Sequence, residues 1–219
     1  MVIIPAGEFT LGFVSSSDLI PFISDKTAGL NAQPKQTLFL KTFYIDRYET
    51  TYEEFIRFKP QAKYPTKSLK EPARGVSWFE ADSYCLSIGK RLPTEFEWEK
   101  AARGLDDRLF VWGNEFNKEN ANFSKIVSPV NTKNKDKSKF GVWGMNGNIS
   151  EWTSSWYQPY PNSTHQDKNY GKKFKVTRGG SIFKRDHGFI KEFTMIPYRN
   201  ISPLNRRFWD TGFRCARSG

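Results

Sequence analysis

Apolar residues recur at helical spacing in three short stretches of the first half of the chain, and the same polar device opens each one. "TYEE" (51–54), "SWFE" (77–80) and "TEFE" (94–97) each place a Thr or Ser three residues ahead of a Glu. In that arrangement hydroxyl and carboxylate cap each other's backbone amides. Tyr52, Phe55 and Phe58 give the first helix an apolar side until Pro60 stops it. Trp78, Ala81, Tyr84, Cys85 and Ile88 follow at helical spacing in the second, and Gly89 is its natural C-terminal cap. Phe96, Trp98, Ala101 and Ala102 line one side of the third, which Gly104 ends. The second half has no such pattern. "MVIIPAGEFTLG" (1–12), "TLFLKTFYIDRYE" (37–49), "FVWGN" (110–114), "VTRGGSIF" (176–183) and "GFRCA" (212–216) predict short strands. Residues 14–36, 131–139 and 157–173 predict surface loops.

Composition sharpens this. Only 37% of residues are hydrophobic but 16% are aromatic, so the core is expected from Phe, Trp and Tyr. Sixteen Gly and twelve Pro imply many turns. A chain of 219 residues without an internal repeat or a composition break suits a single domain, 1–219. The net charge of +11 is spread along the chain apart from 131–139 and 167–175. No helix-turn-helix, zinc finger or RNA-binding aromatic motif accompanies it, so nucleic acid is not the expected partner. No apolar run approaches the ~18 residues of a membrane helix, and "MVIIPAGEF" lacks a basic leader. Cys85 and Cys215 are too far apart for a CxxC motif, and spacing alone favours two buried thiols over a bond.

In order along the chain, "IPAGEFTLG" (4–12), "FYIDRYETTYEEF" (43–55), "GVSWFEADSYCLSIGKRLPTEFEWEKAARG" (75–104), "VWGN" (111–114), "FGVWGMNGNISEW" (140–152), "RGGS" (178–181) and "GFRCA" (212–216) resemble the formylglycine-generating enzyme, or sulfatase-modifying factor, family. The resemblance runs from end to end. It implies an α+β, loop-rich variant of the C-type lectin fold. It also implies that Cys85 and Cys215 form a structural disulfide, as in members from oxidising compartments. Bonding would favour a periplasmic or extracellular location, and free thiols a cytoplasmic one.

Active members oxidise a substrate cysteine to formylglycine with copper held by two cysteines after "GGS", thiolate being the ligand that suits Cu(I). Those positions are Lys184 and Phe189 here, and neither binds copper. Ser181, Lys184, Asp186, His187 and Phe189 therefore read as a vestigial pocket. A two-histidine iron site would need His165 and His187, the chain's only histidines, to converge on one acid. The family often binds calcium at the stretch matching "GMNGNISEW", which makes Asn148, Glu151 and Asn122 candidate oxygen ligands, although Gly144 stands where the family has Asp or Asn. Arg91 beside Glu95, Glu97 and Glu99 suggests a buried ion-pair network.

The expected function is thus a non-catalytic, pseudoenzyme-like protein-binding, structural or accessory module. No cofactor is expected beyond calcium. Trp156, Tyr157, Tyr198, Arg206, Arg207 and Trp209 are candidate binding-surface residues, since aromatic and Arg side chains dominate interfaces. The same scaffold displays variable binding loops in other proteins. The competing expectation is an oxidoreductase-like maturation enzyme with altered chemistry in the family pocket.

Overall fold

All three capping boxes form. Thr51, Ser77 and Thr94 each accept the amide three residues on, and Glu54, Glu80 and Glu97 reach back to the capping residue's own N–H. They open α1 (Tyr52–Phe58), α2 (Trp78–Ser87) and α3 (Glu95–Arg103). The computed structural model describes residues 1–13, 29–61, 68–182 and 191–219. Gly89 and Gly104 follow α2 and α3 with φ of 69° and 79°, a left-handed turn that glycine adopts without steric cost.

Among the described residues nine short strands make three sheets. β1 (Val2–Ile4) and β9 (Ala216–Ser218) flank β4 (Phe43–Ile45), both antiparallel to it. β2 (Gly7–Leu11) and β3 (Gln36–Leu40) form a two-stranded ladder. The third sheet runs β7 (Asn200–Ser202), β6 (Lys175–Arg178), β5 (Ser150–Trp156), β8 (Thr211–Gly212), with only the β5–β8 pair parallel.

α3 is the hub. Trp98, Ala101 and Ala102 pack with Phe43, Ile45, Val142 and Met145 in one core. Glu95, Glu97, Glu99, Lys100 and Arg103 are buried as well, so the helix is enclosed on nearly every side rather than on one. Lys100 donates to the carbonyls of Pro5 and Gly7, at 2.8 and 2.9 Å, and fixes the β1–β2 corner. A second core joins α1 and α2 through Tyr52, Phe55, Tyr84, Trp152 and Phe213. It contains the Cys85–Cys215 disulfide, whose Cα atoms lie 5.6 Å apart, so the two cysteines are bonded rather than free.

Several sequence expectations change. "FVWGN" is no strand. Phe110 and Gly113 close a tight turn, and Trp112 stacks on Phe110 at 5.1 Å, so ring packing overrides strand propensity. β5, between "GMNGN" and Trp156, was not predicted as a strand. Ile88 is the C-cap of α2 and 45% exposed, off the helix's buried side. The expected surface loops are partly interior. Within 14–36, of which 14–28 lie outside the described residues, Ala32 is buried, as are Asp136 and Ser138 within 131–139, and Tyr157 and Tyr160 within 157–173.

Candidate functional site

The segment "RGGS" follows from the end of β6 toward the stretch that the resemblance marks as a vestigial pocket. A Cβ on Gly180 would stand 2.6 Å from Thr194 Cγ2 and 2.8 Å from the Asn146 carbonyl, so only glycine threads that gap. Beyond it Ser181 Oγ donates to Asp210 Oδ2 at 2.8 Å, and both residues are buried. Asp210, 29 residues away, is a partner of Ser181 that sequence reasoning missed. Lys184, Asp186, His187 and Phe189 lie outside the described residues. His165, the other histidine, sets its ring edge-on to Tyr170 with centroids 6.1 Å apart. The chain has two cysteines, and both are in the one disulfide.

Behind Arg178 the chain buries a charge network that the sequence reading placed only in part. Glu95 accepts from Arg199 at 2.7 and 2.8 Å and from Arg178 at 3.3 Å. Glu99 accepts from Arg103 at 2.9 Å, from the Gly12 amide at 2.8 Å and from Arg178. Burial alone would raise the Glu99 carboxyl, but Arg178 and Arg103 outweigh it and hold it below the ordinary range. Burial likewise pushes the Tyr160 hydroxyl, 3.4 Å from both carboxylates, well above its usual value. Arg91 is not a member. It forms a bidentate pair with Glu97 at 2.6 and 2.7 Å, with a third of its side chain exposed. The network's cations come from β6, α3 and the segment before β7, because carboxylates on the inner faces of α3 can be met only by what packs there.

The three calcium candidates gather at the start of β5, but their oxygens are engaged. Glu151 accepts from Arg214 at 2.6 and 2.7 Å and from Trp98 Nε1 at 3.0 Å. Asn148 Oδ1 accepts from Asn122 Nδ2 and the Ser128 amide, both at 3.0 Å. Asn122 Oδ1 takes the Ser124 hydroxyl at 2.7 Å. Calcium takes six to eight oxygens, so this donor set does not fit it. The adjoining space between Glu49, Asn122, Lys133, Asp136, Gly144 and Asn148 is about 10 Å³, roughly the room of a single water. Asn122 and Asn148 belong to N-x-S sequons and are buried, out of reach of a glycosylating enzyme in the folded chain.

The proposed binding-surface residues separate into two groups. Tyr157 is 1% exposed and donates to Asp167 at 2.8 Å, so it is a structural residue. Tyr198 is half-buried against Phe193, with ring centroids 4.7 Å apart. Trp156 and Trp78 sandwich the Lys175 ammonium, 3.8 and 4.2 Å from the ring centres, and burial pushes that amine down to about 8. Arg206, Arg207 and Trp209 are exposed, and Arg207 forks onto Glu80 at 2.8 and 2.9 Å. Phe79, 54% exposed on α2, extends the exposed aromatic set and was missed because helical spacing assigns it to no buried face. A separate cleft of about 610 Å³ opens between the segment after β4, α1 and the end of α2, with the pairs Lys90–Asp46 and Arg57–Glu53 among its lining.

Comparison with known proteins gives one pattern. The sulfatase-modifying factor enzyme 1-like domain matches residues 1–219. Inactive C-alpha-formylglycine-generating enzyme 2 of Mus musculus is 32% identical over 166 residues, 69% of this chain and 51% of that protein. The formylglycine-generating enzyme of Bos taurus is 27% identical over 252 residues, 83% of this chain and 65% of that protein. The chain thus spans only about half to two thirds of these relatives. Among solved structures, Treponema denticola variable protein 1 superposes with a TM-score of 0.77 at 20% identity, covering all of this chain and 95% of that one.

Proposed function

Because the chain belongs to the sulfatase-modifying factor enzyme 1-like family and has its α+β, C-type-lectin-like fold, we propose that it is a non-catalytic member that works by binding another protein. The observation that carries this is the fate of the cysteines. Family chemistry needs two thiolates on one copper ion, and this chain offers Lys184 and Phe189 in their place. Its only two thiols are spent on a structural bond in the second core. The murine relative, named as an inactive enzyme, supports the same reading. The exposed set of Arg206, Arg207, Trp209 and Phe79 would form the working surface, combining Arg and aromatic side chains typical of interface anchors.

The test is a turnover and metal assay on the protein purified without chelator. With a cysteine-containing peptide, copper and oxygen, no formylglycine should appear by mass spectrometry, and plasma mass spectrometry should find neither copper nor iron near one equivalent. Turnover, or a stoichiometric redox metal, would sink the proposal and favour an altered oxidoreductase in the old pocket. For the binding half, the protein is cross-linked in its native source. Trp209→Ala combined with Arg206→Ala should abolish the cross-linked partner while leaving Tm unchanged within about 2 °C. Retention of the partner by that variant would count against this surface.

A further inference from the structure

We propose that Asp136 organises the turn 144–148 from within the chain, and that the turn closes on protein groups alone, without a divalent cation. The proposal is independent of the binding reading above.

Gly144 stands where the resemblance leads one to expect an acid or amide. Its φ is +71°, and a Cβ there would stand 2.6 Å from Glu49 Oε1, so the carboxylate of Glu49 occupies the room a side chain would need. The turn still presents four successive amides, Gly144 to Gly147, and every one of them ends on a single residue eight to eleven positions upstream. Gly144 N–H donates to the Asp136 carbonyl at 2.9 Å. The N–H groups of Met145, Asn146 and Gly147 donate to its carboxylate, each at 3.1 Å. A carboxylate so placed satisfies buried donors that would otherwise each carry a desolvation penalty.

The rest of the turn is also closed by the protein. Asn146 accepts from the Val111 amide at 2.8 Å and donates to the Thr194 carbonyl at 2.5 Å, binding three loops to one another. Around the small space beside the turn, the one buried side-chain oxygen of a described lining residue that lacks a hydrogen bond is Glu49 Oε2. A divalent cation needs several oxygens aimed at it, and the side-chain oxygens of Asn122, Asn148 and Asp136 here accept protein N–H or O–H groups instead. Positive charge is already there, with the Arg214 guanidinium 3.8 Å from Glu49 Oε2 and Lys133 lining the same space. The position between them is therefore electrostatically supplied.

The test is thermal melting of the full chain, stripped with EDTA and then measured with EDTA, with millimolar calcium and with millimolar magnesium. Wild-type Tm should agree across the three within about 1 °C, because a ligand that does not bind the folded state cannot stabilise it. Asp136→Asn should lower Tm by roughly 5 °C or more, and calcium should not restore it. A calcium-induced rise of more than about 3 °C in the wild type, or one equivalent of calcium surviving dialysis, overturns the proposal. An unchanged Tm in Asp136→Asn does the same. If that variant does not fold, Asp136→Glu replaces it. Retaining the carboxylate, Asp136→Glu should melt indifferently to calcium, and calcium dependence in it or in the wild type would again overturn the idea.

Discussion

Glu49 and Glu151 flank the guanidinium of Arg214, but only Glu151 hydrogen-bonds to it. The consequence is asymmetric. Burial pushes Glu49 up to about 8, with Arg214 opposing the rise and the neighbouring Glu151 charge adding to it. A carboxyl raised in the folded state holds its proton more tightly there than in the unfolded chain. Its contribution to stability is complete below the ordinary carboxylate range and is lost as pH rises through about 8. Tm should therefore fall as pH rises from about 4.5 to about 8 and level off above that, and Glu49→Gln should flatten that fall. Melts across the range check it, and an identical slope in the variant would assign the effect to another group. The side chains next to Glu49 are decisive here, and none of them is near it in sequence.

At the scale of elements, α3 shows how far one helix can be turned inward. Its capping box, its length and its terminating glycine are legible in "TEFEWEKAARG". Its burial on nearly every side is not, because Glu95, Glu97, Glu99, Lys100 and Arg103 are residue types that normally face solvent. The helix tolerates this because Glu95 and Glu99 meet Arg199, Arg178 and Arg103 across packed elements. Removing one partner of such a pair leaves an uncompensated buried charge. Arg199→Ala should cost about 3–5 kcal/mol, while Arg91→Ala, on the half-open Glu97 pair, should cost about 1 kcal/mol. Urea denaturation of the two variants decides this. Equal losses would mean that Arg91 is as integral as the buried arginines.

Across the whole molecule, short elements are joined by long irregular connections, and cross-links do much of the holding. Strand β9 closes the sheet begun by β1, and the adjacent Cys215 is tied back to α2. With the cysteines 130 residues apart in sequence, the bond removes roughly 4–5 kcal/mol of unfolded-state entropy in the chain-entropy model. Reduction with dithiothreitol under mild denaturant should lower stability by that order, and Cys85→Ser with Cys215→Ser should reproduce it. A melt unaffected by reduction would show that packing of the second core suffices without the bond.

The sequence by itself determined the three helices, through caps that act within four residues of themselves, and the aromatic character of the core. Its ordered motifs determined the family, and Lys184 and Phe189, at the positions where the resemblance puts the copper cysteines, support the non-catalytic proposal. Local chemistry is enough for such features, since the groups that interact are neighbours in the chain or are identities at matched positions. Tertiary structure alone decided where charge is buried. Asp136 sits in a stretch that reads as a solvated lysine-rich loop, yet it is 2% exposed because the amides of 144–147 converge on it. Tyr157 reads as a surface aromatic and is interior, Arg91 reads as part of a buried network with Glu95, Glu97 and Glu99 but pairs with Glu97 alone, and Glu151 reads as a metal ligand but is paired with Arg214. In each case the deciding partner is distant in sequence or depends on which face is turned inward. Desolvation, the largest energy acting on such groups, is set by packing and leaves no mark in the order of residues.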